Sequence, residues 1–347
     1  MIRILLLLLL PVMAQAEPLR IATFNTELSR DGPGLLLRDI QRGDLQVQAV
    51  VDVLVAVRPD VVSLQGIDWD MDGLALAALV GQLRAAGLDY PYHFSAQPNA
   101  GLETSLDLNG DGRAYGPADA QGWGRFTGQG GLAVLSQHPI RTKDMQTFTD
   151  LLWRDLPGAQ LPVTDDGPFP SEQAQRIQRL SAVAHWIVPV DTPIGALDVM
   201  TFHAAPPVFD GPEDRNGLRN RDEIRLWSAV LDGKLGRKPQ RPFVIAGDAN
   251  LDPARGDGRS ETIQALLDDP RLQDPHAGDP SQDQTTVVWK AVGEMRVDYV
   301  LPSADLKVVA ADVFWPEPGT PLRDAAERAS RHRLVWVDVA VPDRHSH

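Results

Sequence analysis

The 347-residue chain contains no cysteine. That absence removes disulfides, thiolate metal sites and a cysteine nucleophile from consideration together. Aromatic residues make up only 6% of the chain. The surplus of positive charge that nucleic-acid binders carry is missing as well: 33 Lys and Arg stand against 47 Asp and Glu, for a net charge of -14. Long-range attraction to nucleic acid or to anionic membranes is therefore not expected. Beyond the N-terminus no segment is long and apolar enough to span a bilayer. Hydrophobic residues at 43% and charged residues at 23% fit a folded globular protein rather than a disordered one.

The N-terminus has a basic residue, Arg3, then the apolar run Ile4–Leu10, Pro11 and the small-x-small site Ala14-Gln15-Ala16. This predicts a secretory signal peptide over residues 1–16, with the mature chain starting at Glu17 and residing in the periplasm or outside the cell. A membrane anchor is the alternative, but the run is too short to cross a bilayer. With no disulfides, an exported chain must rely on packing or bound ions.

Residues 17–347 show neither repeat nor linker and read as one domain. Leu19–Phe24 predicts a strand, Leu45–Val57 an amphipathic helix, Val61–Leu64 a buried strand and Leu74–Ala86 a second helix, an order that argues for α/β layering. Pro98–Gly131 reads as a long loop rich in Gly, Asp and Asn. Gly131–Ser136, Ser181–Val190, Ala196–Phe202 and Val244–Ala246 follow as strands, with helices at Asn220–Leu231 and Ser260–Leu267. Late strands are expected at Thr285–Trp289, Arg296–Leu301, Leu306–Phe314 and Leu334–Val341.

The chain is organised around Phe243–Pro253, where an apolar run breaks at Gly247 into Asp248-Ala249-Asn250. On an extended backbone Asp248 and Asn250 point the same way, giving a carboxylate and an amide oxygen able to orient water or hold a hard cation. An ordinary Asp/Asn/Gly turn is the plainer reading. Polar residues recur at other strand ends: Asn25, Gln65, His203, Asp298 and His332. If those strands share one sheet edge, the set suits metal-assisted hydrolysis.

Thr23-Phe24-Asn25, Leu64-Gln65, Gly131–Ser136, Thr201-Phe202-His203, Gly247–Asn250, Arg296–Val300 and His332–Val335 stand in an order that resembles the endonuclease/exonuclease/phosphatase superfamily. His203-Ala204-Ala205-Pro206 looks most like its deoxyribonuclease version, and the whole looks like an exported, bacterial-type member. The resemblance implies a four-layer α/β sandwich of two packed sheets flanked by helices. It also implies in-line hydrolysis of a phosphodiester or phosphomonoester with Mg²⁺ or Mn²⁺. By position, Asp248 would orient or deprotonate the water, and Asn250 would contact phosphate or metal. His203 and His332 would bind phosphoryl oxygens. Asp298 would hold a histidine or help position the metal, and Asn25 would sit at the metal's edge.

Two positions depart from the pattern. Gly66 stands where the family usually has a metal-binding Glu, and Arg331 where it has a metal-binding Asp. Asp68 or Asp70 would have to reach back to the metal, or Arg331 would bind the phosphate itself. The alternative is a catalytically impaired relative that binds a phosphate-bearing ligand.

Asp107, Asn109 and Asp111, followed by Gly112, resemble the first half of a calcium loop, though Ala118 stands where the closing Glu is expected. A structural Ca²⁺ site and a plain polar loop are equally compatible with it. Arg215, Arg219, Arg221 and Arg225 cluster after His203; Arg221 and Arg225, one helical turn apart, could guide substrate toward it, or form a solvated helix face balanced by Asp214, Asp222 and Glu223. His185 reads as a satisfied core residue, and Trp123 as a residue of the cleft wall. The substrate expected is a phosphoester (nucleic acid, nucleotide or lipid head group), and the protein a monomer.

Overall fold

The computed structural model describes residues 17–277 and 284–341. The signal-peptide reading of residues 1–16 lies outside the described residues. In chain order the elements are β1 (Leu19–Asn25), α1 (Leu35–Gln41), α2 (Leu45–Val57), β2 (Val61–Ile67), α3 (Leu74–Ala85), β3 (Tyr92–Ser95), β4 (Gly131–Ser136), β5 (Gln146–Thr147), β6 (Val163–Thr164), β7 (Gly167–Pro168) and α4 (Glu172–Ile177). The second half adds β8 (His185–Thr192), β9 (Gly195–His203), α5 (Arg215–Leu231), β10 (Phe243–Asp248), α6 (Ser260–Leu267), β11 (Val287–Trp289), β12 (Gly293–Met295), β13 (Asp298–Pro302), β14 (Lys307–Val313), α7 (Pro321–Ala329) and β15 (Val335–Ala340).

Two large mixed sheets result, with orders β14-β15-β1-β2-β4-β3 and β13-β10-β9-β8-β5. Their facing sides are apolar and β-branched. Ile21, Val61, Val134, Val188, Val199, Val244, Val300 and Val337 pack together as the core between the sheets. Helices α2, α3 and α7 bury Val50, Leu54, Leu79 and Ala329 on the outer face of the first sheet. Helix α5 covers the second sheet with Ile224, Trp227 and Val230, and α6 joins it with Ile263 and Leu266. The expected four-layer sandwich is the observed fold.

Local chemistry sets the element ends. Asp44 accepts hydrogen bonds from the backbone N–H groups of Gln46 (3.0 Å) and Val47 (3.1 Å), which starts α2. Arg58 ends that helix in the left-handed region, just before Pro59. Helix α7, which the sequence reading passed over, has its own signal: Thr320 caps it and Pro321 opens it. Helix α5 begins at Arg215, five residues ahead of the expected Asn220.

The central pairs are parallel, β1 with β2 and β9 with β10. Their C-terminal ends therefore lie at one edge of each sheet. Asn25 pairs with Gln65 in the first sheet, and Asp248 stands between His203 and Asp298 in the second. Gln65 is fully buried and works structurally: it accepts from Thr23 Oγ1 and donates to Ser63 Oγ. Ser63 in turn hydrogen-bonds Thr201 across the two sheets.

Candidate active site

The Asn25 side chain bridges the sheets. Its Nδ2 donates to Asp248 Oδ2 at 2.9 Å. The other Asp248 oxygen accepts from the Asn250 N–H at 2.8 Å. His203 Nε2 lies 3.5 Å and His332 Nδ1 3.8 Å from Asp248 Oδ2. His332 Nδ1 is also 2.9 Å from Asp298 Oδ2. The backbone N–H of His332 donates to Ser330 Oγ, and that hydroxyl donates to the Asn25 carbonyl, so the segment before β15 is stitched to the end of β1. The structure thus brings Asn25, His203, Asp248, Asp298 and His332 together.

Asn250 arrives differently from the sequence expectation. Its φ is 50°, so the backbone has left the extended form and the two side chains do not share a strand face. The plainer turn reading is the observed one: Asp248 closes an Asx turn, and Asn250 Nδ2 is tied to the Ala204 carbonyl at 2.9 Å.

The titratable groups form one buried electrostatic unit. Burial opposes charge on His332, but attraction from Asp298 and Asp248 and the Asp298 hydrogen bond outweigh it, and its pKa is pushed up to about 9. His332 is therefore an imidazolium at neutral pH and donates to Asp298. Burial lowers the His203 pKa, with Asp248 opposing the fall and His332 adding to it. Burial and the Asp298 charge raise Asp248, which the two histidines and Asn25 partly offset.

Of these residues Asn25 and His203 line a cleft of 1090 Å³, together with Glu27, Gly66, Trp123 and Arg331 among others, whereas Asp248, Asp298 and His332 are buried and outside that lining. Alanines 182, 204 and 205 line it as well. Asp68 is not in this lining. One of its oxygens accepts from Gly130 N (2.9 Å) and the other from Arg30 N (2.9 Å), so it closes two loops instead of reaching a metal. Arg221 and Arg225 do not line the cleft either. Both pair with Asp222, and Arg225 also donates to the Gly158 carbonyl. Arg331 does line it.

In the loop at Asp107, the carboxylate accepts from the N–H groups of Asn109, Gly110 and Gly112, and Asn109 Oδ1 and Asp111 Oδ1 accept from Asp111 N and Arg113 N. Its own backbone already engages an oxygen of each of these side chains. His185 is a satisfied core residue between Ser181 Oγ and the Glu223 carbonyl, its pKa pushed by burial down to about 3.

Three contributors were missed. Glu27 holds Arg331 through its carboxylate, accepting from Arg331 N at 2.8 Å and Nε at 2.7 Å. Glu223, fully buried, accepts from the N–H groups of the cleft residues Ala182 (2.6 Å) and Ala205 (2.7 Å), and burial raises its pKa to about 7. Buried Asn220 donates to the carbonyls of Ala205 and Ala249. The Asn25-Thr26-Glu27 spacing was the only sequence signal for Glu27, and Glu223 looked like one more charge on a helix.

The donor set does not fit a resident divalent ion. Glu27 has both oxygens committed, one to the Arg331 side chain and the other to Arg331 N. Asp248, Asp298 and His332 do offer ligand atoms within 4.8 Å of one another. These atoms are already engaged, however: Asp248 spends one oxygen on Asn25 Nδ2 and the other on Asn250 N, and Asp298 Oδ2 lies 2.9 Å from His332 Nδ1.

A model of the Endonuclease/Exonuclease/phosphatase family matches residues 22–332. Among solved structures, the chain is similar to an endonuclease/exonuclease/phosphatase from Beutenbergia cavernae, at 21% identity over 94% of this chain and 72% of that one, with a TM-score of 0.56. It is similar to a family protein from Leptotrichia buccalis at 13% identity, 92% and 99% coverage and a TM-score of 0.54. Sphingomyelinase C from Streptomyces griseocarneus is similar at 19% identity, 93% and 99% coverage and a TM-score of 0.50. These likenesses are likenesses of fold. No curated protein matches the chain.

Proposed function

The chain belongs to the endonuclease/exonuclease/phosphatase family, and from that premise we propose that it is an exported phosphoester hydrolase with Asp248 at its catalytic centre. Family membership implies phosphoester hydrolysis in general, and its members generally depend on a divalent metal. The donors here do not fit such an ion, because Glu27 is held by Arg331 and Asp248 by Asn25 and Asn250.

The observation that carries the reading is Asp248. It is fully buried, held by Asn25 Nδ2 and Asn250 N, and lies 3.5 Å from His203, which with Asn25 separates it from the cleft they line. A carboxylate fixed by two donors and kept from bulk water is placed to orient a water molecule and take its proton as that water attacks phosphorus. The bond to the ester oxygen breaks on the opposite side, and the leaving oxygen departs with its electron pair. His203, which lines the cleft, hydrogen-bonds a phosphoryl oxygen. Imidazolium His332 offsets the charge of Asp298, so that Asp248 can stay ionised next to a second carboxylate.

The test is hydrolysis of bis-(p-nitrophenyl) phosphate by wild type and Asp248→Asn, each shown to be folded. We expect the variant to lose on the order of 10³-fold in turnover, the scale of losing a group that acts in the transition state. Equal rates would remove Asp248 from the mechanism. A second reading is favoured by the Glu27–Arg331 pair: an impaired relative that binds a phosphate-bearing ligand without turnover.

A further inference from the structure

The two departures from the family pattern meet in one place. Gly66 has φ 68°, and a Cβ there would stand 2.5 Å from Asn25 Oδ1 and 3.1 Å from Glu27 N. A larger residue at 66 therefore collides with the amide that holds Asp248. At the other position Arg331 is bound by Glu27: the carboxylate takes its backbone N–H, its Nε and its Nη2. Ser330 Oγ lies 3.2 Å from the same carboxylate. Yet the Arg331 side chain is 63% exposed, against 23% for Glu27, and it lines the cleft beside Asn25, Gly66 and His203. Its Nη1 makes no hydrogen bond among the described residues.

We propose that Arg331 is the resident cation of this site: it receives a phosphoryl oxygen in the corner where the family pattern places a divalent metal, and Glu27 aims it. This rests on the phosphoester reading above. A guanidinium clamped on one edge keeps its remaining N–H donors in a fixed plane, which suits the oxygens of a phosphoryl group. It carries a permanent positive charge that needs no ion from solution. Glu27 acts through Arg331 and is a positioning residue. The missing carboxylates at 66 and 331 and the committed carboxylate at 27 are then one arrangement: the acid left in this corner is spent on Arg331, and a fixed cation stands in the metal's place.

The experiment is calorimetric titration of the full chain with inorganic phosphate in EDTA, after the melting temperature of each variant has been checked. Wild type should bind phosphate in EDTA, Arg331→Ala should bind at least tenfold more weakly, and Arg331→Lys should fall between them. Glu27→Gln, which keeps the cation but loosens its clamp, should weaken phosphate less than Arg331→Ala does. Arg331→Asp, which sets a second carboxylate beside Glu27, should gain one Mn²⁺ relative to wild type by electron paramagnetic resonance. If Arg331→Ala does not fold, the Lys and Gln variants decide alone. Phosphate binding that is absent in EDTA, or indifferent to position 331, overturns the inference. The two readings fail separately: phosphate bound in EDTA without ester turnover sinks the hydrolase and keeps the resident cation. Metal-dependent turnover with no phosphate binding in EDTA does the reverse.

Discussion

Asp248, Asp298 and His332 are buried with ligand atoms within 4.8 Å of one another. Two carboxylates that close cannot both stay ionised without a counter-charge, and the proton on His332 supplies it. This has a consequence for stability against pH. The folded pKa of His332, about 9, lies above the usual 6.5 of a free histidine. A group raised in this way contributes stability that is complete below about 6.5 and is lost as pH climbs through about 9. Urea unfolding should therefore show wild type weakening between those values, by up to about 1.4 kcal/mol per pH unit. Asp298→Asn, which removes the 2.9 Å partner, should flatten that slope. An equal slope in both proteins would mean that His332 is not charged through Asp298.

Strands and their ends carry the next level. Strand β2 is continuous from Val61 to Ile67, but its pairing with β4 shifts register between Gln65 and Ile67, and Gly66 occupies the irregular position with φ 68°. Only glycine takes that conformation without cost. Gly66→Ala should destabilise the fold by about 1–3 kcal/mol, through left-handed strain and the contact with Asn25. Chemical denaturation measures it, and a loss under about half a kilocalorie would show that the bulge relaxes. Residue type and period placed β1, α2, α3, β4 and α6 almost to the residue, because each has a clear apolar run and a capping or breaking residue. They missed α7, where alanines alone are buried and the apolar signal is weak. The short β3, with no buried residue, was missed for the same reason.

Across the whole molecule the net charge of -14 sets the long-range field. Arg331, Arg215 and Arg219 line the cleft, whereas Arg221 and Arg225 are balanced by Asp222. At long range a polyanion would meet net repulsion. We therefore expect weak binding of duplex DNA, with a slope of log K against log salt no steeper than about -2, where six to ten phosphate contacts would give about -5 to -9. Filter binding across a salt series reads this, and a steep slope would reveal a basic track in solution.

The order of polar residues at strand ends carried the resemblance to the family, and through that resemblance the four-layer fold and the expectation that Asn25, His203, Asp248, Asp298 and His332 meet. Strand ends are local features, and sheet pairing carries them to one edge. What those residues do together was decided by tertiary contacts that no local pattern encodes. Asp68 went to two loop amides, and Asn250 entered a turn. Glu27 met Arg331 across 304 residues of chain. The charge on His332 and the hold on Arg331 depend on which carboxylate lies within about 3 Å, and only packing sets that distance.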